Sequence, residues 1–428
     1  MRDISRPFFR SRPLMNSGSS SRILVLTPRF PFPIVAGDTL RIVNMCRALS
    51  KRHTITLASL GSRKEAEKPD VAQDVFDEIH YVHHPAWRGG LNVIRALLSS
   101  QPLQVAYYKS DPFHNLVRKL LPEHDLVLAH LLRAGQFVED ADCPTVLEMT
   151  DALSLNYERV SKLNTWGIKP LLYRIEKGRI APYERAAVKK FDLVTLVSEV
   201  DRDYLLQGST AIDASNIEVY TNGIDLDARP YRDPGVAPTI IFIGNMRTVH
   251  NRESCLSFAN EVLPLIRDQI PEARFRIIGH ATDKTIRSFG SIDGVDVTGW
   301  VDSIPEASRG AIAGMGVMQV GAGVQNKVLE YMALGLPVIA NQTGIEGIEA
   351  TERTHFLKAE TAREVADCFL TLYRDQELRN TLARKARTFV EEHHKWEAVL
   401  SGFVEDIERI TRTYPSSRES GAATSQKR

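Results

Sequence analysis

The pattern of apolar and polar positions becomes readable at residue 21. In "RILVLTPRFPFPIVAGDTLRIVNMCRALSKRHTITLASL" an apolar run at Ile23 to Leu26 leads into a Pro/Gly loop, then a segment of helical period reaching Leu49, then an alternating strand at Thr54 to Ala58. Strand, loop, helix, strand is the opening of a parallel α/β sheet, because parallel neighbours need a crossover and a helix supplies it. Short apolar runs continue the series at "IHYVH" (79–83), "DLVLAH" (125–130), "TVLEM" (145–149), "DLVTLVS" (192–198) and "IEVY" (217–220), with helix-length segments between most of them. The stretch 170–190, mixed in charge with apolar repeats, is predicted as a surface helix.

Periodicity stops at "TNGIDLDARPYRDPGVAP" (221–238), where Gly, Asp and Pro gather as in an interdomain linker. A second series then starts: "TIIFIG" (239–244), a helix through "NRESCLSFANEVLPLIRDQ", "RFRIIG" (274–279), a helix near 283–289, "VDVTGW" (295–300), a helix near 304–311, "GVMQV" (316–320), a helix from Asn326, and "PVIA" (337–340). "GAIAGMG" (310–316) reads as a small-residue turn before a strand, not as a nucleotide fingerprint, since no helix begins there. From 362 to 411 the chain is predicted as helices only, the last starting at Trp396. The expected organisation is an N-terminal domain over 21–225 completed by a returning helix at 396–412, and a C-terminal domain over 226–395. Two doubly wound units place binding at their strand ends, in a cleft between them.

Composition narrows the class. The 428 residues are 43% hydrophobic and 25% charged, with 54 basic and 53 acidic side chains. A formal net charge of +1 argues against a general nucleic-acid binder. Cys46, Cys143, Cys255 and Cys368 lie far apart without metal-ligand spacing and read as reduced core residues. The first twenty residues hold Arg2, Arg6, Arg10 and Arg12 but no continuous apolar run, so neither a signal peptide nor a membrane span is expected there. A disordered basic arm is the first reading of 1–20 and a membrane-surface tether the second; 413–428 reads as a disordered tail.

The chemistry concentrates in "GAGVQNKVLEYMALGLPVIAN" (321–341). Gly321 and Gly323 allow a tight turn, and the first N–H groups of the following helix carry partial positive charge suited to phosphate. Lys327 sits in the first turn, where a cation opposes the helix dipole. Gln325 and Asn326 add neutral donors, and Glu330 can accept from vicinal hydroxyls such as those of a ribose. From spacing alone a second reading stands beside this one: Gly323 a loop glycine, Asn326 a cap, and Lys327 with Glu330 a solvated helical pair. Asp225 and Asp227 in "DLD" resemble a metal motif but sit in the linker, where Asp225 orders a turn. His83 with His84 and His393 with His394 lack ligand-spaced partners and read as surface or helix-face residues.

"NKVLEYMALGLPVIA" after a short strand resembles the donor-site segment of glycosyltransferase family 4, retaining enzymes of the GT-B fold. Further segments resemble the family in order: "RFPFPIVAGDTLR", "LVSEVDRDYL", "TNGIDL", "FIGNMRTVHNRE", "ARFRIIGH" and "GVDVTGWVDSI", together spanning about 21 to 412. The resemblance implies two Rossmann-like doubly wound domains and transfer of a sugar from a nucleoside-diphosphate sugar to an acceptor hydroxyl, with no metal or other cofactor required. It points to bacterial lipopolysaccharide, capsule or exopolysaccharide synthesis on a lipid-linked or glycan acceptor. It also implies a cytoplasmic enzyme with peripheral contact at the inner membrane face. Residue by residue, it assigns Glu330 to the nucleotide ribose, Gln325, Asn326 and Lys327 to the diphosphate turn, and Gly37, with Asp38 and Arg41 beside it, to the N-domain loop approaching the diphosphate. Gly244, Asn245 and Asn251 fall in the donor-domain loop, and His130 where the family contacts the donor sugar. His130 and Lys327 are the implied catalytic residues. Three positions depart from the family: Ala322 replaces its first acid, and Asn245 and His250 stand where an Arg and a Lys are usual. These departures motivate an alternative, a non-catalytic GT-B-like scaffold subunit of a polysaccharide-assembly complex. A GT-B sugar-nucleotide epimerase finds no supporting pair of acids.

Overall fold

A computed structural model describes residues 20–34, 36–61, 74–138, 141–162, 168–207, 214–319, 321 and 323–414. The expected basic arm, apart from Ser20, and the tail beyond Tyr414 lie outside these residues, as does Ala322. The chain divides into two compact units, 1–220 with 400–428, and 221–399.

Among its described residues unit 1 carries seven strands, β1 (Arg22–Thr27), β2 (Thr54–Gly61), β3 (Glu78–His83), β4 (Leu126–His130), β5 (Thr145–Thr150), β6 (Leu193–Leu196) and β7 (Ile217–Val219). All pair in parallel, in the order β3-β2-β1-β4-β5-β6-β7. Near-continuous burial of β1, β2 and β4 is what a sheet covered on both faces requires. The helices of this unit before the linker are α1 (Gly37–Ser50), α2 (Ala86–Ala96), α3 (Leu103–Tyr107), α4 (Asp111–Leu120), α5 (Leu132–Gly135), α6 (Leu153–Lys162), α7 (Ile168–Val188) and α8 (Glu199–Leu206).

Unit 2 repeats the plan with β8 (Thr239–Ile243), β9 (Arg274–Ile278), β10 (Val295–Gly299), β11 (Ala313–Gly316), β12 (Val338–Ala340) and β13 (Phe356–Lys358), in the parallel order β10-β9-β8-β11-β12-β13. Its helices are α9 (Val249–Ser257), α10 (Leu263–Arg267), α11 (Asp283–Gly290), α12 (Ile304–Ala307), α13 (Asn326–Leu334), α14 (Gln342–Ile345), α15 (Ala362–Arg374), α16 (Gln376–His393) and α17 (Trp396–Val399). After Leu400 the chain re-enters unit 1 as α18 (Ser401–Thr413), which buries Phe403 and Ile407 and receives a hydrogen bond from the Tyr220 hydroxyl on Asp406.

Three readings change. "GAIAGMG" is not a turn: Ala313–Gly316 is the central strand β11, and the strand ends at Gly316, where "GVMQV" only begins. Small residues hide the strand signal because the Tyr331 ring lies on β11, and a Cβ at Gly314 would meet that ring at 2.3 Å. The long helix α7 lies at the surface, as expected: Gly178, Pro182 and Ala186 are exposed, while Ile180, Glu184 and Val188 on its inner face are wholly buried. The final helix is broken at Leu400 into α17 and α18. His84 and His394 are buried, not surface residues: His84 Nε2 lies 2.8 Å from Tyr107 O and His394 Nδ1 2.9 Å from Asn222 O.

Burial has an electrostatic consequence on α7. Glu184, with no exposed surface, accepts from the Ser154 hydroxyl and, at 3.2 Å, from the Ser154 amide, yet loss of water dominates and pushes its pKa up to about 8. A carboxyl raised by folding stabilises the fold while protonated, and that contribution is lost as pH rises from the unfolded value of 4.5 through about 8. Asp151, pushed up to about 7 by burial and then by Asp201, acts in the same direction. The melting temperature of unit 1 is therefore expected to fall between roughly pH 5 and pH 8, and Glu184→Gln to flatten that fall. A wild-type profile level across this range would contradict the assignment.

Candidate functional site

In a doubly wound sheet, ligands bind where neighbouring strands send their connections to opposite sides, beyond the carboxyl ends of those strands. In unit 2 that point lies between β8 and β11. Gly244 follows β8, and a Cβ there would meet the Phe242 ring at 2.7 Å and Asn251 Nδ2 at 2.8 Å, so no side chain fits. Beyond it the loop folds on itself: Asn245 O accepts from Asn251 Nδ2 at 3.0 Å and from the Thr248 hydroxyl at 2.9 Å. The segment after β11 turns at Gly323, with φ 67°, and starts α13, whose N-cap Gln325 makes no side-chain cap.

Lys327 bends into this corner. Its Nζ donates to Gln325 Oε1 at 3.1 Å and Asn251 Oδ1 at 3.3 Å, and lies 5.0 Å from the centre of the Phe242 ring. Burial lowers its pKa to about 8, with Cys255 and Glu330 opposing the shift. No carboxylate forms an ion pair with Lys327 among the described residues. Glu330 instead faces Arg229 at 3.5 Å, so the two do not form the solvated helical pair that spacing allowed. Burial raises the Glu330 pKa despite Arg229, and the buried Glu330 Oε2 and Arg229 Nε have no hydrogen bond among the described residues. Asn326 is not the cap; its Oδ1 accepts from Asn222 Nδ2 at 2.8 Å. Asn222 belongs to "TNGIDL", and the next residue, Gly223, lies so close to Trp396 that a Cβ would meet its ring at 2.6 Å. Asp225 Oδ1 accepts from the Ala228 amide at 3.0 Å, ordering a turn.

In unit 1 the corresponding point lies between β1 and β4. Gly37 opens α1 and is exposed; Asp38 beside it pairs with Arg29. Burial alone would raise the Asp38 carboxyl, but Arg29 and His130 outweigh it and hold it below the usual range. His130 ends β4, buried, with Nδ1 2.5 Å from Glu148 Oε2 on β5. A carboxylate there takes the Nδ1–H and fixes the ring; Nε2 is buried without a hydrogen-bond partner among the described residues. Glu148 Oε1 receives Arg41 Nε at 2.7 Å, and Arg41 Nη1 donates to Tyr220 O at 2.7 Å. His130 and Arg133 lower and Glu148 and Asp201 raise the nearby acids, so this is a dense, buried charge cluster. Both chain exits are left-handed, at Leu131 and Thr150, each with φ 66°. Such backbone costs on the order of 1–3 kcal/mol per residue and collects at functional sites.

The sites thus gather Gly244, Asn245, Asn251, Gln325, Asn326, Lys327 and Glu330 in unit 2, and Gly37, Asp38 and His130 in unit 1. Sequence reasoning missed Glu148, Asn222 and Arg229. The signal for Glu148 was present: an acid inside an apolar strand, "TVLEM", must find a buried cation.

Residues 237–375 match the family model described as "Glycosyl transferases group 1". No curated protein matches. Among solved structures, Alr3699/HepE of Anabaena in complex with UDP-glucose is similar at a TM-score of 0.64 and 15% identity, over 91% of this chain and 100% of that one. Sucrose-phosphate synthase of Thermosynechococcus elongatus is similar at 0.67 and 16%, over 91% and 98%. A mutant of S. aureus TarM in complex with Fondaparinux, alpha-GlcNAc-glycerol and UDP is similar at 0.64 and 11%, over 92% and 100%. At these identities the likeness is one of fold, and the fold is GT-B: two Rossmann-like domains in one chain.

Proposed function

We propose that this chain is a retaining glycosyltransferase of family 4, moving a sugar from a nucleoside-diphosphate sugar to an acceptor hydroxyl in bacterial polysaccharide assembly. The observation that carries the reading is Lys327: a cation held by two amide side chains at a helix start, at the switch point, with no acid paired to it. A structural lysine would be paired or solvated; this one is preorganised for an anion. The structures of HepE with UDP-glucose and of TarM with UDP support a nucleotide there.

In this reading the diphosphate lies over the start of α13, where Lys327 and the helix N–H groups face it. The nucleotide ribose reaches Glu330. His130, fixed by Glu148, hydrogen-bonds a hydroxyl of the donor sugar through Nε2. As the bond between the anomeric carbon and the diphosphate oxygen breaks, the electron pair leaves with the diphosphate; the acceptor oxygen then bonds that carbon on the same face and passes its proton to the departing diphosphate. Charge grows on the diphosphate, so groups preorganised there lower the barrier. No metal enters these steps.

Glu330→Gln is expected to weaken nucleoside-diphosphate binding roughly tenfold or more, the worth of hydrogen bonds to a charged group. Calorimetry with an unchanged dissociation constant would remove Glu330 from the ribose site. The reaction itself is tested by incubating the protein with UDP-, GDP- or dTDP-sugars and lipid-linked or lipopolysaccharide-core acceptors, and reading the product's anomeric configuration by NMR. A retained linkage is expected. An inverted one overturns the retaining assignment, and nucleotide binding without transfer supports the scaffold alternative.

A further inference from the structure

Helix α2 is built inside out. Seen down its axis, Gly89 and Ala96 turn to the protein and are buried, and the gap is closed by the Tyr107 ring, which a Cβ at Gly89 would meet at 2.4 Å. The large apolar side chains face the other way. Trp87, Leu91, Ile94 and, in the turn after the helix, Leu98 are spaced by four, three and four residues, so at 100° per residue they form one stripe. They are 62, 43, 62 and 96% exposed, with Leu97 at 51% beside them. Soluble chains scatter exposed apolar residues singly; a contiguous stripe marks an interaction surface.

The helix is firmly seated, so the stripe is not a frayed end. Arg179 donates to Ala96 O at 3.3 Å and Leu97 O at 3.0 Å, and Asn92 Nδ2 to Lys109 O at 2.9 Å. Charge identifies the occupant. From Ile79 to Ser110 the chain has no Asp or Glu but carries Arg88, Arg95 and Lys109. Arg88 and Arg95 flank the stripe, both exposed, with the Arg88 guanidinium 5.3 Å from the centre of the Trp87 ring. An apolar face edged by arginines, with a tryptophan at its border and no acid on its own stretch of chain, suits the interface of a bilayer: the apolar groups enter the acyl boundary and the guanidinium groups reach anionic head groups. Among the described residues no helix is long and apolar enough to cross a membrane, so attachment would be to the surface.

We propose that α2 and the turn to Leu98 dock the protein on an anionic lipid surface, independently of the transferase reading. The test is sedimentation of the full chain with vesicles of phosphatidylcholine mixed with phosphatidylglycerol, and of phosphatidylcholine alone. Binding to the mixed vesicles is expected, weaker in high salt. The double variant Ile94→Asp with Leu98→Asp should lower partitioning at least about tenfold, and Arg88→Gln with Arg95→Gln should remove the preference for the anionic vesicles. All four positions are exposed, so unchanged melting temperature and unchanged nucleotide binding should accompany these losses. Wild-type protein that stays in solution, or variants that sediment as well as wild type, would overturn the proposal. So would light scattering that shows self-association abolished by the same aspartates, which would make a second copy the occupant. Failure of nucleotide binding in the wild type would count against the transferase reading alone.

Discussion

Lys327→Met is expected to lower turnover at saturating donor by about 10²–10³-fold, the usual cost of removing one preorganised donor from developing charge. Methionine keeps the length and much of the volume of the lysine stem. The packing against Phe242 and Met318 therefore survives, and the melting temperature should hold or rise, because a desolvated ammonium is removed. Lysine brought to about 8 also predicts that nucleotide affinity in the wild type declines as pH climbs past that value, and that the variant lacks the decline. Steady-state kinetics with a folded Lys327→Met that turns over near normally would leave the ammonium without a catalytic role.

Glu148→Ala should be the most destabilising single change in unit 1. Arg41, Glu148 and His130 are buried together, and removing the carboxylate strands the guanidinium among apolar strands. Breaking one side of such a pair costs about 3–5 kcal/mol, or a melting temperature lower by roughly 6–20 °C in a unit of this size. Burial alone would raise Glu148, but His130 and then Arg41 win and hold it at about 2. Its stabilisation is thus complete above 4.5 and lost as pH falls through about 2. The double variant Arg41→Met with Glu148→Leu should regain much of the stability, since an apolar pair can replace a buried ionic one. It should not regain turnover, because nothing then fixes the tautomer of His130. Recovery of both by the double variant would reduce the cluster to a structural element.

The doubly wound plan was legible because buried parallel strands are written as apolar runs, and β1, β4 and β8 stand where those runs are. β11 was not, since its residues are small to admit Tyr331 and carry no hydrophobic signal. β13 escaped as well: only Phe356 of its three residues is buried. At the site, the glycines and Lys327 could be named from spacing, but the partner of Glu330 could not. Arg229 lies about a hundred positions upstream in a linker whose composition says only that the chain turns there. Glu148 announced itself as an acid in a strand, while Arg41 sat in a helix whose face could not be oriented without the strands it covers. Long-range pairing of charges is set by topology, and a one-dimensional pattern does not contain it.

On the proposed function, the switch point of unit 2 binds a nucleoside diphosphate. Calorimetric titration of the full chain with UDP, GDP and dTDP tests it directly. One of the three is expected to bind at a single site and, at 100 times its dissociation constant, to stabilise the fold by about 2.7 kcal/mol, with affinity reduced in both Lys327→Met and Glu330→Gln. Absence of heat for all three, or binding that neither substitution alters, would contradict it.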